Sequence, residues 1–168
     1  MKTKKITVLG IGCSLLADQG FGVAVVQALS ERFEFQERIQ LVDGGLIGVG
    51  LTGTIAGAGH LIVIDAIHNN GNPGDIYRLE GRQILERLAG KNHVQQVEFL
   101  EALAHCQALD HPPHTVLLGI EPSDTRTLAC ELTPVLKAKM DAMIARVLDE
   151  LDRLGVKYRK KEEKQTCV

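Results

Sequence analysis

The segment over residues 6–22, ITVLGIGCSLLADQGFG, constrains the fold more than any other part of the chain. It opens with an apolar, mostly β-branched run, which predicts a buried strand. Two closely spaced glycines then predict a sharp turn, and apolar residues follow at helical spacing over residues 23–33. A strand, a glycine turn and a helix in this order are typical of α/β proteins, which place their sites at the carboxyl edge of a parallel sheet. We therefore expect Asp18 and Gln19 to lie on the rim of a site.

The rest of the chain predicts alternating strands and helices. Strands are expected over residues 5–11, 38–42, 60–64, 75–79 and 114–120, and helices over 20–32, 81–89, 93–106 and 133–154. The strand over 60–64 is nearly all apolar, so we expect it in the centre of the sheet with both faces covered. The order predicts an α/β fold, a three-layer sandwich with a mainly parallel, twisted sheet of about five strands and helices on both faces.

Three further segments give weaker signals. Residues 46–59 have helical periodicity but several glycines, which predicts a helix that packs closely against another backbone. The strand over 75–79 is short and is expected at an edge of the sheet. The charged segment 157–168 is expected to be a mobile tail.

Length and composition predict one domain over residues 1–168 and exclude several classes of protein. The net charge of −2 favours neither nucleic acid nor an anionic membrane as a partner. The apolar runs are short for a membrane span, and the first residues lack the pattern of a signal peptide, so we expect a cytoplasmic protein. The four cysteines are scattered singly, which predicts reduced thiols rather than a zinc site or disulfides.

Acidic or amide side chains follow three of the predicted parallel strands. Gln19 and Asp18 follow the first strand, Asp43 the second and Asp65 the third. Because the carboxyl ends of parallel strands share one edge, these groups are expected to converge. Asp is also a favoured helix cap and turn former, and this alternative stays open for Asp43 in particular. Asp65 is the stronger candidate because an unpaired carboxylate next to a buried strand is costly.

Histidine is the usual companion of carboxylates in a metal site, and the chain has six. His93 begins a predicted helix that should pack near the same edge, so it is the preferred candidate ligand. His68 lies in the loop HNNGNPG near the rim and is a weaker candidate. A surface position is the alternative for either residue.

A dinucleotide site is a second interpretation of the first segment. The pattern Gly10-x-Gly12 after a strand, with Asp43 at the end of the next strand, imitates part of the dinucleotide fingerprint. The third glycine of that fingerprint would fall at Leu15 and is absent. A nucleotide-binding α/β enzyme is therefore the less favoured alternative.

Six motifs, in order, resemble those of the hydrogenase maturation endopeptidases. They are GIGCSLLADQGFGV, LVDGGLIGVGL, HLIVIDAI, NPGDIYRL, LLGIEPSD and ELTPVLKAKM, and the resemblance extends over about residues 6–155. It implies an α/β sandwich and a protease that removes the C-terminal extension of a nickel–iron hydrogenase large-subunit precursor after nickel insertion. The nickel would be carried by the precursor, which is the expected partner, and no organic cofactor is implied.

The resemblance also implies a metal-binding triad, which maps onto Gln19, Asp65 and His93. Gln19 departs from the family, which usually has Glu or Asp there, and an amide offers a carbonyl oxygen without charge. Asp18 is the acid that could substitute for it. Cys13 is a second departure, at a position where the family usually has Asn, and a small buried thiol is the expected role.

The expected chemistry is metal-directed peptide hydrolysis by an activated water. No Ser-His-Asp or Cys-His arrangement is evident, so a covalent nucleophile is not favoured. Asp65 and Asp43 are the candidate catalytic carboxylates. Either would act as the general base that takes a proton from the attacking water. The alternative is a non-cleaving factor of the same fold that only binds the precursor, because the loss of one charged ligand weakens a metal site without unfolding the protein.

Overall fold

The computed structural model describes residues 5–35, 38–45, 51–89, 94–110 and 112–162, with the backbone alone for residues 94 and 95. In chain order the elements are β1 (Ile6–Gly10), a short 3₁₀ helix (Ala17–Gly20), α1 (Phe21–Arg32), β2 (Phe33–Phe35), β3 (Ile39–Asp43), α2 (Leu51–Ala56), β4 (His60–Ala66), β5 (Ile76–Glu80), α3 (Arg82–Leu88), α4 (Val94–Ala108), β6 (His114–Ile120), α5 (Pro134–Lys137), α6 (Met140–Arg153) and β7 (Tyr158–Lys160).

Five strands form the main sheet in the order β3-β1-β4-β6-β5. The first four are parallel, and β5 pairs antiparallel with β6 at the outer edge. β4 lies in the middle, as its continuous apolar sequence predicts, and six of its seven residues are buried. The predicted α/β fold, with its mainly parallel sheet and an edge strand over residues 75–79, is confirmed.

Side chains that alternate along the strands form two cores, one on each face of the sheet. Ile62 and Ile64 of β4 face α1 and α6, whereas Leu61 and Val63 face α2, α3 and α4. This alternation follows from the pleat of a strand, which points successive side chains to opposite faces. Asp65, the next residue of β4, therefore lies on the face that α4 covers.

Helix α1 is seated directly on the ends of the strands. A Cβ atom on Gly22 would collide with the carbonyl oxygens of Ile64 and Ile11, and one on Gly10 would collide with the backbone of Gly22. The glycines therefore permit a contact between backbones that no other residue would allow. This contact brings the start of α1 against the carboxyl end of β4.

The structure differs from the predicted elements at the C-terminal end. The helix expected over residues 133–154 is divided into α5 and α6, because Lys139 donates its N–H to the Leu136 carbonyl in a tighter turn at 3.0 Å. Helix α6 ends at Arg153, within one residue of the predicted end, and Gly155 follows with a φ of +68°, the left-handed conformation typical of the residue after a helix.

The expectation of a mobile tail is wrong for Tyr158–Lys160, which form β7 and pair antiparallel with β2. Tyr158 packs its ring against Phe33 and Phe35, so an aromatic cluster holds this small sheet together. Residues 163–168 of the expected tail, and residues 46–50 of the expected glycine-rich helix, lie outside the described residues. Within the described ranges, no helix combines the length and apolar character needed to cross a membrane.

Candidate active site

Four polar side chains follow the four parallel strands at their carboxyl ends. Gln19 lies in the segment after β1, Asp43 is the last residue of β3, and Asp65 is the second-last residue of β4. Glu121 directly follows β6 and was missed by the sequence analysis. The same rule that selected Asp65, an acid at the end of a buried parallel strand, would have found it.

Asp18 organises the loop that forms one wall of the site. Its carboxylate accepts four hydrogen bonds of 2.8–3.0 Å, from the N–H groups of Ser123, Asp124 and Thr133 and from the Thr133 hydroxyl. The side chain is 0% exposed, so its oxygens serve the loop and are not presented to a ligand. A role as substitute for Gln19 in metal binding would require these bonds to break, at about 1 kcal/mol or more for each one.

Backbone hydrogen bonds fasten the same turn to the same loop. Ala17 donates to Ala129 and Asp18 to Asp124, at 2.8 and 2.9 Å. Ala17 has a φ of +44°, which is strained for a residue with a Cβ. Such strain persists only where the surroundings fix the backbone, and it is typical of functional sites. The position of Gln19, two residues further on, is therefore set by this double attachment.

Gln19 reaches the loop with its side chain. Its Nε2 donates a 3.0 Å hydrogen bond to the Thr125 carbonyl, and the residue is half-buried. Gln19 lines a polar cavity of about 560 Å³, together with His68, Ser123, Asp124, Thr125 and Arg126. A larger cleft of about 910 Å³ is lined by the end of α1, by α6 and by β7, and contains none of the candidate residues.

His68 enters this cavity in contact with a buried acid. Its Nδ1 lies 3.6 Å from Glu121 Oε1, and its Nε2 lies 3.4 Å from the Thr125 hydroxyl oxygen. The second carboxylate oxygen of Glu121 accepts hydrogen bonds from the N–H groups of Asn69 and Gly71 and from the Tyr77 hydroxyl. Burial opposes the charge of Glu121, but these bonds outweigh it and lower its pKa.

Asp65 is buried against α4. Its Oδ2 accepts a 2.7 Å hydrogen bond from the Gln96 side chain, and 4% of the residue is exposed. Desolvation by burial raises the pKa of Asp65 to about 7, and the bond from Gln96 only partly offsets that effect. Protonated and ionised forms of this carboxyl are therefore both populated near neutral pH.

The remaining predicted residues fall into three cases. Asp43 Oδ1 accepts a 2.9 Å hydrogen bond from the Gly45 N–H, which is the turn-forming role left open for it. Cys13 is a half-buried free thiol. His93 lies outside the described residues.

The structure brings Gln19 and His68 into one cavity, and it brings Asp65 to the adjacent strand end. Gly22, three residues after Gln19, touches the carbonyl of Ile64, the residue before Asp65. In the described part of the chain, no group of three or more His, Cys, Asp or Glu side chains is arranged to hold a metal ion. A polar cavity beside a buried carboxyl with a raised pKa, at the carboxyl edge of a parallel sheet, is the arrangement of an α/β enzyme.

Comparisons with known proteins identify the family. A family model described as HycI, hydrogenase maturation protease, matches residues 23–150. The chain is 35% identical over 161 residues to the hydrogenase expression/formation protein HupD of Thiocapsa roseopersicina, covering 95% of this chain and 73% of that protein. It is 30% identical over 154 residues to the hydrogenase 2 maturation protease of Escherichia coli, covering 90% and 93%.

A solved structure agrees with the sequence matches. The hydrogenase maturating endopeptidase HybD from E. coli superimposes with a TM-score of 0.88 at 29% identity, over 94% of this chain and 98% of that one. The chain therefore belongs to the hydrogenase maturation protease family, and it is a peptidase. The resemblance read from the six motifs is confirmed.

Proposed function

We propose that this protein removes the C-terminal extension of a nickel–iron hydrogenase large-subunit precursor after nickel has been inserted. Family membership supports the reaction class, and the name of the E. coli relative, hydrogenase 2 maturation protease, supports a hydrogenase subunit as the substrate. The observation that carries the proposal is the pairing of Gln19 in an open polar cavity with the buried carboxyl of Asp65 at the adjacent strand end.

In this proposal the chain recognises nickel as part of its substrate. The Gln19 carbonyl oxygen, the Asp65 carboxylate and the His93 imidazole would contact the metal carried by the precursor and so fix the position of the scissile peptide. An amide, a carboxylate and an imidazole are a reasonable donor set for nickel.

Asp65 has the protonation behaviour that peptide hydrolysis needs. In the metal-free protein the pKa of Asp65 is about 7, so its ionised carboxylate, when it does not contact the metal, can take a proton from the water that attacks the scissile carbonyl. The same carboxyl can then return that proton to the leaving amine as the C–N bond breaks. Asp43, whose carboxylate is bonded to Gly45, is the alternative base.

The second candidate is a factor that binds the precursor without cutting it. Gln19 favours this alternative, because an uncharged amide in place of an acid weakens a metal site. The fold and the attachment of the loop through Asp18 would serve a binding protein equally well.

Cleavage of nickel-loaded precursor by the purified protein tests the proposal. Asp65→Ala is expected to lower the cleavage rate by at least about 100-fold, the usual contribution of a general base. Asp149→Asn, which removes an exposed and distant carboxylate, is the matched control and should cleave at the wild-type rate. Normal cleavage by Asp65→Ala would remove Asp65 from the mechanism. Binding of the precursor without cleavage by the wild-type protein would favour the second candidate.

A further inference from the structure

The cavity that Gln19 lines also contains a histidine whose surroundings resemble those of a metal ligand. His68 has Glu121 at its Nδ1 edge and directs Nε2 toward the cavity. Histidines that bind metals are typically held by a carboxylate at the second ring nitrogen, which fixes the orientation of the ring. The loop sequence gives no sign of this buried acid, so the sequence alone favours His93 over His68 as a ligand.

Glu121 is built into the fold as a rigid support for that ring. It is 5% exposed, and three donors converge on one of its oxygens and lower its pKa: two N–H groups of the loop after β4 and the hydroxyl of Tyr77 in β5. The other oxygen faces His68 at 3.6 Å. With one oxygen fixed by these three bonds, the other oxygen is left facing the imidazole, which also helps to lower the pKa of Glu121, so the two side chains act as a pair.

His68 and Gln19 are close enough to act on one ligand. Both side chains contact the same residue, Thr125, Gln19 at its carbonyl oxygen and His68 at its hydroxyl. The His68 contact is 3.4 Å, which is long for a hydrogen bond and easily exchanged for a metal bond. Asp124 and Arg126 of the same wall carry opposite charges, so they leave no excess positive charge to repel a cation.

We propose that His68, whose Nδ1 faces the Glu121 carboxylate at 3.6 Å, binds the nickel ion through Nε2 and supplies the strong donor that the amide of Gln19 does not. This inference rests on the proposed function, since it deepens the same site. Ligation by His68 gives a physical reason why a chain with an amide at position 19 can still bind a metal centre. An imidazole is a good nickel donor and adds affinity without adding a second buried negative charge.

Titration of nickel(II) chloride into the purified full-length chain, followed by calorimetry, tests the inference. His68→Ala is expected to weaken nickel binding at least 10-fold, and Glu121→Gln by about 10- to 100-fold as for other supporting carboxylates. His105→Ala, which removes an exposed histidine near the end of α4, is the matched control and should bind as the wild type does. Gln19→Glu in the His68→Ala background should recover part of the affinity.

A spectroscopic measurement separates ligation from a purely structural effect. With copper(II) as the probe ion, pulsed electron paramagnetic resonance should show one fewer coupled imidazole in His68→Ala than in the wild type. Thermal unfolding of each variant shows whether it is folded, and His68→Asn serves if the alanine variant is not. Unchanged affinity together with an unchanged imidazole count would overturn the inference, as would a wild-type chain that binds no nickel at millimolar concentration.

The two proposals fail in different ways. If the wild type cleaves precursor and His68→Ala binds nickel normally, the proteolytic function stands and His68 has no part in it. If nickel binding depends on His68 but no precursor is cleaved, the histidine is a ligand in a protein of the binding class.

Discussion

Two neighbouring residues of the same turn have opposite roles, and only burial distinguishes them. Asp18 is fully buried and bonded to three residues of the loop over 123–133, whereas Gln19 is half-buried and lines the cavity. In the sequence both are simply polar residues after a glycine turn. The choice of Gln19 over Asp18 as the proposed metal ligand therefore depends on the long-range contacts of Asp18. These contacts span more than one hundred residues and leave no local pattern in the sequence.

The raised pKa of Asp65 predicts a specific dependence of stability on pH. The folded protein keeps the carboxyl protonated up to a pKa of about 7, whereas the unfolded chain loses the proton near 4. Between these values the folded state binds more protons, so stability falls as pH rises from about 4 to 7. Above pH 7 the folded protein bears the full free-energy cost of ionising the buried carboxyl, which lowers its stability by an amount on the order of 2 to 4 kcal/mol.

Asp65→Asn is therefore expected to be more stable than the wild type at pH 8 and close to it at pH 4.5. Urea unfolding at the two pH values, followed by circular dichroism, measures the difference. Asp149→Asn is the control for the loss of an exposed carboxylate. A stability difference that is the same at both pH values would contradict the raised pKa.

At the level of elements, the fit of α1 onto the strand ends determines the geometry of the site. Gly22→Ala would place a methyl group against the carbonyl oxygens of Ile64 and Ile11, so the start of α1 must move. We expect a loss of roughly 2 to 4 kcal/mol in unfolding free energy, as for other overpacked contacts between rigid elements. Cleavage should fall as well, because Gln19 and Asp65 lie on either side of this contact.

Gly53→Ala is the matched control for this prediction. Gly53 lies in α2, is exposed, and a Cβ there would meet nothing within 4 Å. Alanine should therefore stabilise the protein by about 0.5 to 1 kcal/mol through its higher helix propensity. Denaturant unfolding of both variants measures the contrast. Equal effects of the two substitutions would mean that Gly22 does not permit a close contact.

Some secondary-structure elements of this fold can be predicted from the sequence and others cannot. Long, strongly patterned segments such as β4 and α1 were predicted with small errors at their ends, because burial imposes a regular apolar pattern. β2 and β7 have three residues each, and their pairing depends on aromatic contacts across more than one hundred residues. Segments this short carry no periodicity, so their pairing could not be predicted.

For the whole molecule, the site is assembled from chain segments that are distant in sequence. The topology of parallel strands predicts that their ends meet, and Gln19 and Asp65 could be placed at that edge on this basis. It does not predict which loop side chains turn toward one another. The contacts of Glu121 with the loop after β4, and of Thr125 with Gln19 and His68, depend on loop conformations that only the structure provides.

The opposite face of the sheet carries another buried acid, whose contribution to stability depends on pH in the opposite direction from that of Asp65. Glu150 of α6 accepts hydrogen bonds from Arg78 Nε and Nη2 at 2.6 and 3.0 Å and from Arg153 at 3.0 Å. The hydrogen bonds from Arg78 lower the pKa of Glu150. The stabilisation that these hydrogen bonds give to the folded protein is present above the pKa that Glu150 has in the unfolded chain. It is lost as pH falls through the lower pKa of the folded state. Arg78 is 38% exposed, so solvent screening limits the gain to about 1 kcal/mol or less.

Glu150→Gln is expected to destabilise the protein at pH 7, and this effect should diminish as pH falls through the lowered pKa of the folded state. Asp65 and Glu150 lie on opposite faces of the sheet and share no hydrogen-bond partner among the described residues. The Asp65→Asn/Glu150→Gln double variant should therefore show the sum of the two single effects at pH 7 to within about 0.5 kcal/mol. Urea unfolding of the four proteins completes the cycle. A larger deviation would mean that the sheet transmits strain between its faces, and that the candidate site is coupled to the packing of α6.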